Sequence, residues 1–199
     1  MQKCWYKLNI DVSNAMNPNL DYVSKFNDPE PFDVCTIHES QILQFFNEEW
    51  IDYVNDLGLM VVNGVLFYRK ANFDDWTMAH RDTIPDFMVA TDRDSRQPVN
   101  YALNWVISPT DTHDMVWYNH PDPGIVSGRE VTENGFTEID RRCIGHQMTL
   151  VNSGAFHTVS GGNTDRYCIS LRSVIPGKSI FCSWEEAVDY FKELNLISE

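Results

Sequence analysis

The stretch HTVSGGNTDRYCISLR, His157 to Arg172, decides how this chain is read. An apolar run led by a histidine meets a turn cluster of Gly, Asn, Thr and Asp, and a second run follows. In that second run Tyr167, Ile169 and Leu171 alternate with Arg166, Cys168, Ser170 and Arg172. Successive side chains of an extended segment point to opposite faces, so one face is apolar and the other carries both arginines. The pattern predicts a hairpin whose second strand turns its guanidinium groups either inward or into water. Inward, they are costly unless an anion meets them. A carboxylate would suit, since it can pair with a guanidinium through two hydrogen bonds. Outward, they would mark a charged edge strand.

Similar runs fill the middle of the chain. LMVVNGVLFYRK (59–70), VNYALNWVIS (99–108), DMVWYN (114–119) and HQMTLVN (146–152) are short and rich in Val, Tyr and Trp. Turn clusters such as PTDTHD, HPDPG and TENG separate them. The spacing is that of a sandwich, jelly roll or barrel. Before this region, Tyr6, Leu8, Ile10 and Val12 alternate with polar residues and predict a half-buried strand. A loop marked by NPN and DPEPFD comes next. From Ser40 to Leu57, apolar residues at Ile42, Leu43, Phe46, Trp50, Tyr53, Val54 and Leu57 predict one helix, with Ser40 as N-cap and Gly58 as its stop. Near the end, Ser183 and Glu186 have capping-box spacing, ahead of an apolar face of Trp184, Ala187, Val188, Phe191 and Leu194. The expectation is one mainly β domain with flanking helices: a strand-and-helix support over 1–58, a β core over 59–175 and a C-terminal helix over 183–197.

The chain has 199 residues, 43% of them apolar, enough to bury a substantial core. Its 15 Lys and Arg stand against 29 Asp and Glu, a formal charge of −14. Such a field repels polyanions and argues against a nucleic-acid partner. The run from Leu59 to Tyr68 is interrupted by Asn63 and Gly64 and is too short to span a bilayer. The N-terminus lacks the pattern of a signal peptide. A soluble, cytoplasmic protein without membrane partners is expected. Five scattered cysteines, with no C-x-x-C pair, read as small buried hydrophobes.

In MAHRDTIP (78–85), His80 and Asp82 are one residue apart. On an extended segment both reach the same side, so both could bind one metal ion if a later strand supplied a third ligand. His113 and His120 sit in polar, turn-like segments and read as solvated. His146 opens a strand and is a weaker candidate. His157, inside the strand of the opening stretch, is the best placed.

The order His80-x-Asp82, then His157, then Arg166 nine residues later, resembles the iron(II)- and 2-oxoglutarate-dependent oxygenases. HTVSGGNTDRYCISLR is similar to the His…Arg segment of their prolyl- and aspartyl-hydroxylase-like branches. YALNWVIS followed by MVWYN resembles strands in phage and marine-bacterial members. The resemblance covers Leu59 to Val174 and implies a double-stranded β-helix, the cupin-like jelly roll. It implies Fe(II) held by His80, Asp82 and His157. It also implies 2-oxoglutarate anchored by Arg166, or else Arg172, with Asn104 and Tyr101 beside it. Trp105, Trp117 and Tyr118 would line the substrate mouth, or else be core aromatics. Oxidative decarboxylation to succinate and CO2 would accompany hydroxylation, or demethylation, of a small molecule or peptide by O2. Asp74, Asp75 and Asp86 need no role in this chemistry and read as solvated loop residues. The segments 83–100 and 120–138 would be long loops at the mouth. Two other readings remain: a non-catalytic jelly roll for binding or assembly that retains the metal motif, and a cupin metalloenzyme without 2-oxoglutarate.

Overall fold

The computed structural model describes residues 3–75, 78–82, 99–121, 135–178 and 182–197. Most of the two expected mouth loops, with Asp86, lies outside the described residues. The elements run in order β1 (Trp5–Lys7), β2 (Phe32–Ile37), α1 (Ile42–Phe45), α2 (Glu48–Asp56), β3 (Met60–Arg69), β4 (Ala102–Val106), β5 (Met115–Asn119), β6 (Thr137–Arg142), β7 (Thr149–Val151), β8 (Phe156–Val159), β9 (Arg166–Val174) and α3 (Trp184–Glu193). They form two antiparallel sheets, one of six strands in the order β1-β7-β4-β9-β3-β2 and one of three in the order β6-β5-β8.

Alternation along β9, β3 and β4 divides the large sheet into two faces. Ile169 and Leu171 lie beside Leu66, Leu103 and Trp105 and pack on Trp50, Val54, Ala187 and Phe191 from the helices. On the other face Cys168, Ala102 and Val106 meet Met115 and Trp117 of the small sheet. The helices thus back the large sheet, and the small sheet covers its other side. Burial of these side chains drives both contacts, the larger aliphatic and aromatic ones contributing about 1.5–3 kcal/mol each. Close approach is also needed where β3 pairs with β9: a Cβ on Gly64 would stand 2.9 Å from the Leu171 side chain opposite.

Four expectations need correction. First, β8 and β9 are not a hairpin. β9 has both edges occupied by β3 and β4, while β8 pairs with β5, so the glycine-rich link carries the chain from one sheet to the other. Second, the helix expected over 40–57 is two. Phe46 is extended, and the Asn47 side chain accepts from the Glu49 N–H to start α2 afresh. Leu43 is consequently exposed rather than part of the apolar face. Third, the N-terminal strand shortens to β1. Leu8 then bridges Ile197, and Asn9 N–H donates to Leu196, so the backbone bonds continue outside a strand. Fourth, β2 arises where a loop was expected, and β6 was not foreseen. Both are edge strands: TEIDRR of β6 is polar, and FDVCTI of β2 leaves Val34 in solvent and buries only Ile37.

Gly58 ends α2 at φ +82°, as expected, and Tyr190 of α3 donates its hydroxyl to the Gly58 carbonyl at 2.9 Å. Ser183 and Glu186 form the expected capping box. Cys4, Cys168 and Cys182 are buried, but Cys143 is exposed and Cys35 only half-buried. No helix among the described residues is long and apolar enough to cross a membrane.

Candidate metal centre

His80 and His157 are held opposite each other by a two-way backbone bridge: His80 N–H donates to His157 O at 2.9 Å, and His157 N–H to His80 O at 2.8 Å. Two residues on, Asp82 N–H donates to Ser153 O at 2.9 Å. This pairing sets all three side chains on one face, with the imidazole centroids 4.6 Å apart. One Asp82 oxygen, Oδ1, lies 3.3 Å from His80 Nε2 and 3.9 Å from His157 Nε2. The three potential ligand atoms lie within 4.8 Å of one another, and together they could hold a metal ion. Adjacent donors around an octahedral ion stand roughly 3 Å apart, so only a small contraction separates this arrangement from a ligated one.

The other nitrogens of the rings define their tautomers. His80 Nδ1 sits 2.8 Å from Met78 O, and His157 Nδ1 sits 2.9 Å from Ala155 O. A carbonyl oxygen only accepts, so each Nδ1 carries a proton, and Nε2, once deprotonated, is the atom each ring would offer a metal. The second Asp82 oxygen pairs with Arg172, whose Nη1 also donates to Ser170 Oγ at 2.8 Å. Arg172 is thus a brace for Asp82.

These contacts account for the acidities. Burial would raise the Asp82 carboxyl, but the Arg172 guanidinium and both imidazoles outweigh it and hold the group well below its ordinary range. Burial and the neighbouring His80 push His157 down to about 4. For His80 the burial penalty is outweighed by its bond to Asp82, and the pKa rises. The His80 side chain is 35% exposed against 8% for His157, so the centre opens to solvent on the His80 side.

Behind the three side chains a cavity of about 50 Å³ runs between the sheets, lined also by Asn104, Ser170, Arg69 and Arg166. Asn104 is buried there with its Oδ1 unpartnered. Arg166 is buried, and its Nε stands 3.4 Å from Asp111 Oδ1, an ion pair without hydrogen-bond alignment. Asp111 also accepts from the His113 N–H at 3.1 Å and lies 3.5 Å from Cys143 Sγ. Burial opposes its ionisation, but His113 and Arg166 prevail and lower its pKa.

Other candidates lie elsewhere. Tyr101 is on the helix-facing side, where its hydroxyl donates to Ser173 O and its ring meets Phe191. Trp105 packs on Phe46 and Trp50 on that same side. Trp117 is wholly buried between the sheets and donates Nε1–H to Asn152 O at 2.9 Å. Tyr118 sits half-buried against Phe136. None of these four lines the cavity with the histidines. His113, expected in solvent, is 1% exposed, because its ring packs under Gly162 beside Asp111. His146 is exposed, and His120 packs at a tilt against Phe136.

Two residues beside Arg166 escaped the sequence reading. Asp111 was hidden in a turn cluster. Arg69 continues the inward alternation Val65, Phe67, Arg69 of β3, a signal present in GVLFYRK (64–70). Comparison of the chain with family models and with curated proteins finds no match.

Proposed function

We propose that the chain is an Fe(II)- and 2-oxoglutarate-dependent oxygenase built on a double-stranded β-helix. The observation carrying this reading is the set of two imidazole Nε2 atoms and one carboxylate oxygen on one face, with a buried arginine in the same cavity. The strand order supports the fold. β3, the His80 bridge, β4, β5, β6, β7, β8 and β9 alternate between the large and small sheets except at the β5–β6 pair, which is how a jelly roll winds.

His80, Asp82 and His157 fit Fe(II), since two histidines and a carboxylate leave three of six positions free. Bound there, the iron would supply oxidative decarboxylation of 2-oxoglutarate with O2, coupled to attack on a substrate C–H bond. The protein's part is orientation. Met78 and Ala155 carbonyls fix the rings, Arg172 keeps one Asp82 oxygen engaged, and Asn104 offers an acceptor inside the cavity. Met115, Phe67 and Cys168 make its wall apolar and exclude water. A small molecule or peptide side chain would approach on the His80 side.

Under anaerobic conditions, Fe(II) followed by 2-oxoglutarate is expected to give a visible charge-transfer band that His157→Ala abolishes and Arg166→Met weakens. A protein that binds Fe(II) but never develops the band refutes the assignment. The Arg166–Asp111 pair favours a second reading, because it gives Arg166 an internal anion. That reading is a metal-binding jelly roll without 2-oxoglutarate, and the same titration separates the two.

A further inference from the structure

β3 and β9 pair so that Arg69 stands directly opposite Arg166. Both side chains face the cavity and are nearly inaccessible, at 3% and 4% exposure. Two guanidinium groups therefore share one buried end of the cavity, and the balance of charge there is incomplete. Asp111, itself buried, answers Arg166 at 3.4 Å. Among the described residues, Arg69 is answered by Asp74, 4.0 Å away with its side chain 71% in solvent, where water screens it, and more weakly by half-buried Asp75. Arg69 Nη2 donates to Phe73 O at 3.1 Å, but its Nε has no partner, and neither does that of Arg166 in hydrogen-bond geometry. Buried donors left this way call for a partner, which a polar ligand or a bound water can supply.

We propose that Arg69 is a second anchoring residue, and that Arg69 and Arg166 together seat one carboxylate of a dicarboxylate whose other end reaches the metal centre. With Asp111 holding part of the Arg166 charge, Arg69 carries the cation that a ligand must neutralise. The stoichiometry is simple: two buried cations, one buried anion, one incoming carboxylate. Burial, against partial relief from Asp74 and Asp75, already pushes the Arg69 guanidinium down to about 10, and the Arg166 charge adds to the push. A carboxylate between the two arginines would remove that penalty. The inference rests on the oxygenase reading for the identity of the dicarboxylate.

The test uses the full chain loaded with Mn(II), titrated calorimetrically with 2-oxoglutarate and with pyruvate, which lacks the distal carboxylate. Arg69→Met is expected to weaken 2-oxoglutarate by about 30-fold or more, as loss of a buried charged partner should. Pyruvate and Mn(II) affinities should stay within about threefold, since neither depends on that partner. Arg69→Lys keeps the charge without the fork and should fall between wild type and Arg69→Met. Should Arg69→Met fail to fold, Arg69→Lys decides, by weakening 2-oxoglutarate selectively or not. Unchanged 2-oxoglutarate affinity in a folded Arg69 variant, or an equal fall for both acids, overturns the role of Arg69 while leaving the oxygenase reading standing. A Mn(II)-loaded wild type that takes up neither acid overturns both.

Discussion

The two ends of the cavity follow opposite electrostatic plans. At the metal end, each imidazole has a backbone carbonyl at Nδ1 and the carboxylate at Nε2, and Asp82 is shared between the rings and Arg172. At the arginine end, two buried guanidinium groups share one buried acid, and their Nε groups lack hydrogen-bond partners. One end is oriented before anything binds, and the other holds a charge that folding alone does not balance. Pre-orientation requires fixed tautomers and fixed rotamers, which hydrogen bonds to the backbone provide. Unbalanced burial, by contrast, costs stability in the free protein and is recovered when an anion arrives.

Breaking the metal end should have the largest effect. Asp82→Ala removes a ligand and orphans Arg172, so Mn(II) binding is expected to vanish from calorimetry and stability to fall by about 3 kcal/mol in urea titration. Retained Mn(II) binding would remove Asp82 from the ligand set. At the other end, Arg166→Met strands buried Asp111, and a loss of about 3 kcal/mol is expected for the same reason.

The brace can be loosened without touching a ligand. Arg172→Met should weaken Mn(II) by about 10- to 100-fold, the usual effect of losing an outer partner, with modest change in melting temperature. An unaltered Mn(II) affinity would reduce Arg172 to a structural role. Acidity separates the histidines. His80 has a raised pKa, so at mildly acidic pH the metal must displace its proton; His157, near 4, is already neutral. Mn(II) affinity should therefore rise by about tenfold per pH unit through the His80 titration and level off above it. A flat profile between pH 5.5 and 8.5 would contradict that order of proton loss.

The smallest effect should be Arg69→Met in the ligand-free protein. It removes a buried cation without a buried acid, so stability should change by less than about 1 kcal/mol, in contrast to Arg166→Met. Equal losses from the two arginines would erase the proposed asymmetry.

Much of the metal end was legible in advance because its logic is local. His80 and Asp82 sit one residue apart on extended chain, and the two-residue period alone places them on one side. The same period separated Arg166, Cys168, Ser170 and Arg172 from Ile169 and Leu171, as found on β9. Of the arginine end, Arg166 was legible on its face of the strand, but Arg69 and Asp111 come from segments far from it in sequence, and only the strand register and the folded loop bring them to it. Tyr101 was misassigned for a related reason, while Trp105 took the core alternative. Alternation separates two faces without saying which one meets the helices and which meets the other sheet.

By itself, then, the sequence determined what depends on neighbours along the chain: the strand-rich core, the α3 capping box, the stop at Gly58 and the shared side of His80 and Asp82. Tertiary structure alone decided that β8 and β9 belong to different sheets, and that Arg172 braces Asp82 while Arg166 meets Asp111. A strand's side-chain period is set by its own backbone, but its hydrogen-bonding partners are chosen by non-local competition among strands to bury both faces. That competition positions the charges on which the proposed chemistry depends.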